Sequence, residues 1–266
     1  MFEELMPKLI ISLFAGKSKM ESRIIAATFL LCCIGYTFAS NMPDYIQICH
    51  RHDPELSKCV KQSVHNLRPY LGNGIKEINV PALEPLYIGD LNILEGGSGG
   101  ITVKAKKLSV YGASNFEITK MRASIQNKRF DFELILPLLK GEGQYDINGN
   151  ILALPIKGNG PFVGNFTNFV AYVRIAYDIK NVNDVDYFEL KEFGLRIRTG
   201  KGRLRLENLF NGDKVLGDVI NQTINDNFEL FTNEVIAPIA RALEIKFRAV
   251  ATKILENFTY NELFPV

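Results

Sequence analysis

Apolar positions between Asp213 and Asn257 recur at steps of three or four residues: Leu216, Ile220, Ile224, Phe228, Phe231, Val235, Ile239, Leu243, Phe247, Val250 and Ile254. That spacing predicts a helix, because side chains three and four apart share a face. Asp213 can cap its start by accepting backbone N–H groups that the first turn leaves unbonded. About 45 residues at ~1.5 Å each would make a rod of roughly 67 Å. The steps average slightly more than one turn, so the stripe winds around the helix. Val215, Val219, Ile236, Ala240, Ala251 and Leu255 widen it, and such a helix requires cover on more than one side. Pro238 lies inside the pattern and cannot donate to the ladder, which predicts a kink or break there. Irregular spacing argues against a coiled coil.

The earlier part of the chain reads differently. Asp53-Pro54-Glu55 is a helix start, with Leu56, Val60, Val64, Leu67 and Leu71 as its apolar face and Gly72 and Gly74 beyond its end. Residues 78–98 are extended and proline-marked, and Gly96 to Gly100 is a loop. From there the period is two. Ile101, Val103 and Ala105 alternate with polar residues; Phe130, Phe132, Leu134 and Leu136 share one face, as do Ala171, Val173, Ile175 and Tyr177. Turn signals at Gly141–Gly143, Asn148-Gly149, Lys157–Gly160 and Thr199–Gly202 divide these runs into about six to eight strands. Connections that short exclude parallel crossovers. The sheet and the helix must cover each other, and the simplest arrangement is an α+β domain with a strongly curved antiparallel sheet rolled around the helix.

Composition adds compartment and excludes several chemistries. Arg23, the apolar run Ile24 to Ile34 and the small-residue site at Thr37-Phe38-Ala39 predict a signal peptide over residues 1–39, with residues 1–19 a possible extension ahead of Met20. A membrane anchor is the rival reading, but the run is shorter than the ~20 residues a span needs. Residues 40–266 then form one domain. Of four cysteines, Cys49 and Cys59 remain after cleavage, and in a secreted chain two cysteines most simply form one disulfide. Sequons at Asn165, Asn221 and Asn257 are glycan acceptors where exposed; Asn165 sits in turn-like sequence. The 31 basic and 29 acidic residues are evenly spread, which offers nucleic acid no basic patch. Gly96-Gly97-Ser98-Gly99-Gly100 matches the nucleophile-elbow spacing. However, a strand pattern follows it, and all three histidines, His50, His52 and His65, precede the serine, so no hydrolase triad in that order exists. His50 and His52 beside an oxidised cysteine fall short of a zinc site. Neither an enzyme, a metal nor any cofactor is expected.

Two blocks carry a family resemblance. The first comprises Cys49, Cys59, Leu67-Arg68-Pro69-Tyr70-Leu71-Gly72-Asn73-Gly74-Ile75 and Val80-Pro81-Ala82-Leu83-Glu84-Pro85-Leu86. The second runs from Glu207-Asn208-Leu209-Phe210-Asn211-Gly212-Asp213 through the helix to Asn261-Glu262-Leu263-Phe264-Pro265. Together they resemble the insect takeout and juvenile-hormone-binding-protein family over nearly all of the mature chain. The single cysteine pair is similar to the takeout branch; the second disulfide usual in juvenile-hormone-binding proteins proper has no counterpart here. The resemblance implies a long helix wrapped by a curved sheet around an elongated apolar tunnel (a TULIP-like architecture), secretion, and carriage of a fatty-acid-like or terpenoid ligand, with a circadian or feeding role among those the family suggests. The expected partners are that small hydrophobic ligand and an unidentified receptor, with neither nucleic acid nor stable membrane insertion, and a monomer is expected. Phe132, Leu134, Val173, Ile175, Phe228, Phe231 and Val235 are the candidate ligand-lining residues. The alternative is a secreted signalling or interaction protein that uses the fold without a cargo.

Overall fold

The computed structural model describes residues 42–96, 100–151 and 154–266. The predicted signal peptide, with Cys32 and Cys33, and the centre of the glycine loop at 97–99 lie outside the described residues.

A long antiparallel hairpin forms the spine. Its strands are β4 (Arg129–Ile151) and β5 (Leu154–Val182), 23 and 29 residues long against a usual five or six. Shorter strands flank it in two tiers. Beside one end lie β3 (Glu117–Ser124) on β4 and β6 (Val185–Arg198) on β5. Beside the other end lie β2 (Thr102–Tyr111) on β4, with β1 (Leu86–Leu94) outside it, and β7 (Gly202–Leu206) on β5. All pairings are antiparallel. The tiers meet where the hairpin ladder steps from Leu136–Phe169 to Leu138–Thr167. It skips Pro137, which has no N–H, and Asn168, at φ 51.

Seven strands agree with the expected count, but most of the predicted turns are not turns. Gly141, Gly143, Asn148 and Gly149 lie inside β4, and Lys157 to Gly160 inside β5; of the four signals only Thr199–Gly202 separates two strands, β6 and β7. The strand glycines make room for crossing chain. A Cβ on Gly158 would sit 2.8 Å from the Tyr145 hydroxyl, and one on Gly160 would sit 2.6 Å from the Glu207 carbonyl.

The C-terminal pattern folds as two helices, not one rod: α2 (Lys214–Asp226) and α3 (Phe228–Leu255). Asp213 caps α2 as predicted, accepting from Leu216 N at 3.0 Å. The break falls at Asn227 rather than Pro238. Asn225-Asp226-Asn227 is a run of poor helix formers, and the Asn227 side chain turns back onto the Thr223 carbonyl at 2.9 Å. Pro238 is buried within α3. One missing ladder bond costs less than interrupting a helix whose Val235 and Ala240 are buried on either side of it. At about 1.5 Å per residue, α3 spans about 42 Å and packs against β6 and β1, closing the curled sheet between its edges.

Helix α1 (Leu56–Leu71) begins three residues after Asp53, whose Oδ1 accepts from Glu55 N at 2.7 Å. Its Ser57 hydroxyl and His65 Nε2 accept the Ala123 and Ile118 amides of β3, occupying bonding positions along that strand's outer edge. The Cys49–Cys59 disulfide joins α1 to the preceding segment. A short helix, α4 (Tyr260–Leu263), closes the chain with a capping box between Thr259 and Glu262.

A candidate binding cavity between sheet and helix

Alternation along the strands sends one set of side chains inward, and α3 presents its apolar stripe to them. Packing is incomplete. The buried residues fall into four separate clusters, and between them lies a cavity of about 690 Å³. That volume falls within the ~300–1,000 Å³ of small-molecule sites. Its wall follows α3 from Phe228 to Ile254, 26 residues or about 39 Å along the axis.

Of the seven lining residues expected from sequence, six border this cavity: Phe132, Leu134, Val173, Phe228, Phe231 and Val235. Ile175 does not. It packs against the Val173 cluster, opposite Phe130 on β4, one step short of Tyr177, whose ring stacks on Phe130 at 5.5 Å. Sequence reading missed much of the opposite wall, notably Ile88 and Leu91 of β1 and Phe193, Leu195 and Ile197 of β6. The strict alternation Phe193-Gly194-Leu195-Arg196-Ile197-Arg198 was a legible signal for the last three. The bulges in β1, at Gly89 and near Asn92, hide the corresponding signal there.

Polar groups in the wall are few. Tyr145 donates to the Glu207 carbonyl at 2.6 Å, and burial, with Glu207 nearby, pushes its phenol up to about 12. Thr232 donates to the Glu229 carbonyl of its own helix at 3.0 Å. Thr199 carries a buried hydroxyl with no hydrogen-bond partner among the described residues. Lys246 stands exposed at the rim, and Lys104 borders the cavity from a strand whose Val103 and Ala105 take the inward positions.

The sequons separate on burial. Asn221 is 7% exposed and its amide is fully engaged with the backbone of Leu206 and Gly217, so the folded protein holds it away from any glycan. The Asn257 amide bonds Lys253 and Ile254 carbonyls and is half-buried. Asn165 is exposed, but it lies in the middle of β5, not in a turn. His50 and His52 are exposed beside the disulfide, His50 Nδ1 lying 3.2 Å from the Val266 carbonyl. Among the described residues, no cluster of His, Cys, Asp and Glu has metal-binding geometry, and no helix is long and apolar enough to cross a membrane.

A curled antiparallel sheet closed by one long helix around an apolar cavity defines a class of α+β folds built around an interior space. Comparison gives the particular family. The family model described as haemolymph juvenile hormone binding protein matches residues 27–265, and the chain belongs to that family. It is 24% identical over 237 residues to the circadian clock-controlled protein daywake of Drosophila melanogaster, covering 85% of this chain and 89% of that one. A Schistocerca gregaria protein named as a candidate beta-carotene-binding protein is 23% identical over 124 residues, 46% of this chain and 49% of its own. The crystal structure of Epiphyas postvittana Takeout 1 superposes with a TM-score of 0.72 at 22% identity, over 83% of this chain and all of that one, which establishes the shared fold.

Proposed function

We propose that the protein is a secreted carrier of a small lipophilic molecule, held in the cavity between α3 and the sheet. The observation that carries this reading is the cavity itself: about 690 Å³ with a wall that is almost wholly apolar. A lipid-like ligand with roughly 400 Å² of apolar surface would gain on the order of 10 kcal/mol on leaving water, at ~25 cal/mol per Å². Lost freedom on binding takes back several kcal/mol, leaving roughly micromolar to nanomolar affinity. Phe132, Leu134, Val173, Phe228, Phe231 and Val235 would contact the ligand. The family's description as a haemolymph juvenile hormone binder and the carotenoid named for the locust relative both point to apolar cargo. The same reading has residues 1–39 removed on secretion, a glycan on Asn165, a monomer in solution, and a role like that named for the daywake relatives.

Displacement titration with a fluorescent fatty-acid analogue tests the carrier reading. Wild type should bind saturably. Phe231→Asp and Val173→Asp each place a charge in the apolar wall and should weaken binding at least tenfold. Absence of saturable binding to any long-chain lipid or terpenoid would overturn the reading in favour of an interaction protein without cargo. Mass spectrometry of the secreted product checks the cleavage and the glycan.

A further inference from the structure

Among the described residues, the cavity wall holds one buried hydroxyl that the protein itself does not engage; the other unengaged one, on Tyr87, is exposed to water. Thr199 Oγ1 is buried without a hydrogen-bond partner, and the residue lines the cavity. Its direction follows from the strand: Phe193, Leu195 and Ile197 face inward, and Thr199 is the next position of that alternation. Its level along α3 follows from its neighbours. Leu195 N donates to Glu244 Oε2, whereas Gly202 abuts the Phe228 ring. Thr199 therefore sits toward the Phe228 end of the helix. Thr232, also at that end, spends its proton on the Glu229 carbonyl and keeps lone pairs free. Lys246 lies 14 residues farther along, about 21 Å away along the axis.

A buried polar group left unpaired destabilises the protein that carries it, and a ligand that pairs with it recovers that loss on binding. A carboxylate there would be stripped of water, and neither lysine that borders the cavity is placed to compensate it: Lys246 lies at the other end of α3, and Lys104 stands between the inward-facing Val103 and Ala105, on the outward side of its strand. We propose that Thr199 anchors the head of the ligand, and that the ligand is an uncharged lipophile with one hydrogen-bond-accepting oxygen near one end, such as a ketone, ester or alcohol. The rest of the molecule runs along α3 toward Ile254. This assignment rests on the carrier reading and specifies the ligand class for it.

The test compares 2-pentadecanone, pentadecane and pentadecanoate as competitors of a fluorescent lipid on wild type, Thr199→Val and Thr199→Ser. Wild type should favour the ketone over both others. Thr199→Val, which keeps the shape and removes the hydroxyl, should weaken the ketone by about fivefold, the scale of one hydrogen bond, and leave pentadecane unchanged. Thr199→Ser should restore the ketone. The ligand-free Thr199→Val protein should melt no lower than wild type, because an unpaired buried hydroxyl has been removed. A lower melting temperature would show that the hydroxyl is satisfied within the protein and would overturn the assignment. Equal loss of ketone and hydrocarbon, or a wild-type preference for the carboxylate, would overturn it too while leaving the carrier reading standing. No binding of any probe by wild type would end both.

Discussion

Asn221→Ala is expected to cost far more than its sequence context suggests. On α2, Asn221 and Asn225 are four residues apart and face the edge of β7 that β5 does not use. Asn221 Oδ1 accepts from Leu206 N at 2.8 Å, and its Nδ2 donates to Leu206 O at 2.9 Å. Asn225 repeats the arrangement on Leu204, with both bonds at 2.8 Å. Two residues of strand rise about 6.6 Å and one helical repeat of four about 6 Å, so the two side-chain amides match the strand's period and replace a missing neighbour strand. Leu206 is 6% exposed, so water cannot take over when Asn221 is removed.

The magnitude follows from those bonds. Alanine leaves one buried N–H and one buried C=O unpaired, each at about 1–3 kcal/mol, and the expected loss is about 3–4 kcal/mol. At roughly 2–4 °C per kcal/mol for a domain of this size, the melting temperature should drop by roughly 6–16 °C. Asn225→Ala, at a half-buried position, should lose about half as much. Asn221→Asp keeps the acceptor for the Leu206 amide but turns a carboxylate toward its carbonyl, and should be worse than alanine at neutral pH. Urea unfolding followed by far-UV circular dichroism measures all three. A loss below about 1 kcal/mol for Asn221→Ala, at unchanged denaturant slope, would refute the reasoning, as would a glycan on Asn221 in the folded protein.

Two further outcomes are expected. Replacing Cys49 and Cys59 by serine opens a loop of sequence separation 10 and should cost about 3 kcal/mol in the chain-entropy model, read as a lower urea midpoint. His65 Nε2 accepts the Ile118 amide at 3.2 Å, which requires the neutral ring; burial, with Arg68 and Lys61 nearby, holds its pKa below the usual histidine value. The folded state therefore binds fewer protons than the unfolded one, so stability should fall as pH drops below about 6.5, and His65→Gln should flatten that slope. An equal slope in the variant between pH 7.5 and 5.5 would assign the effect elsewhere.

What was legible in the sequence was local. The three-and-four spacing after Asp213 specifies helix because neighbours along the chain define the face, and the alternation through Phe132 and Val173 specifies strand for the same reason. The cysteine pair was readable from number and compartment. Features set by distant chain were not. Gly158 and Gly160 look like turn residues until Glu207 to Leu209 is seen crossing them. Asn221 looks like a glycan acceptor until β7 is placed beside it. Pro238 looks like a break, but the packing of α3 on β6 and β1 holds the helix through it, while the weaker local signal at Asn227 prevails because the chain must turn there to lay α2 on β7. Thr199 was readable as the last step of the Phe193 alternation, yet nothing in one chain's sequence says that its hydroxyl lacks a partner.

Why the cavity does not collapse also follows from particular residues. Apolar packing has no preferred distance beyond contact and would draw α3 onto the sheet. Here the helix is held at its rim by directional bonds to backbone. Glu244 accepts from Leu195 N, and Arg248 reaches the Lys191 carbonyl at 3.0 Å, both on β6. Just past its C-terminus, Asn257 donates to the Ile78 carbonyl at 3.4 Å and accepts from the Asn79 side-chain amide at 3.1 Å; before its N-terminus, Asn221 and Asn225 fix α2 to β7. Hydrogen bonds weaken steeply with length and angle, so together these set a spacing that the inward side chains alone would not. Small inward residues keep the space clear beneath the helix: Ala105 and Ala171 are buried in the wall where larger side chains would fill it. The interior is thus open because polar groups at the perimeter hold the frame while small apolar groups line the middle. On the carrier reading a ligand completes the core that the chain leaves unfilled, and bound ligand should therefore stabilise the folded protein by mass action, with the logarithm of its concentration relative to Kd.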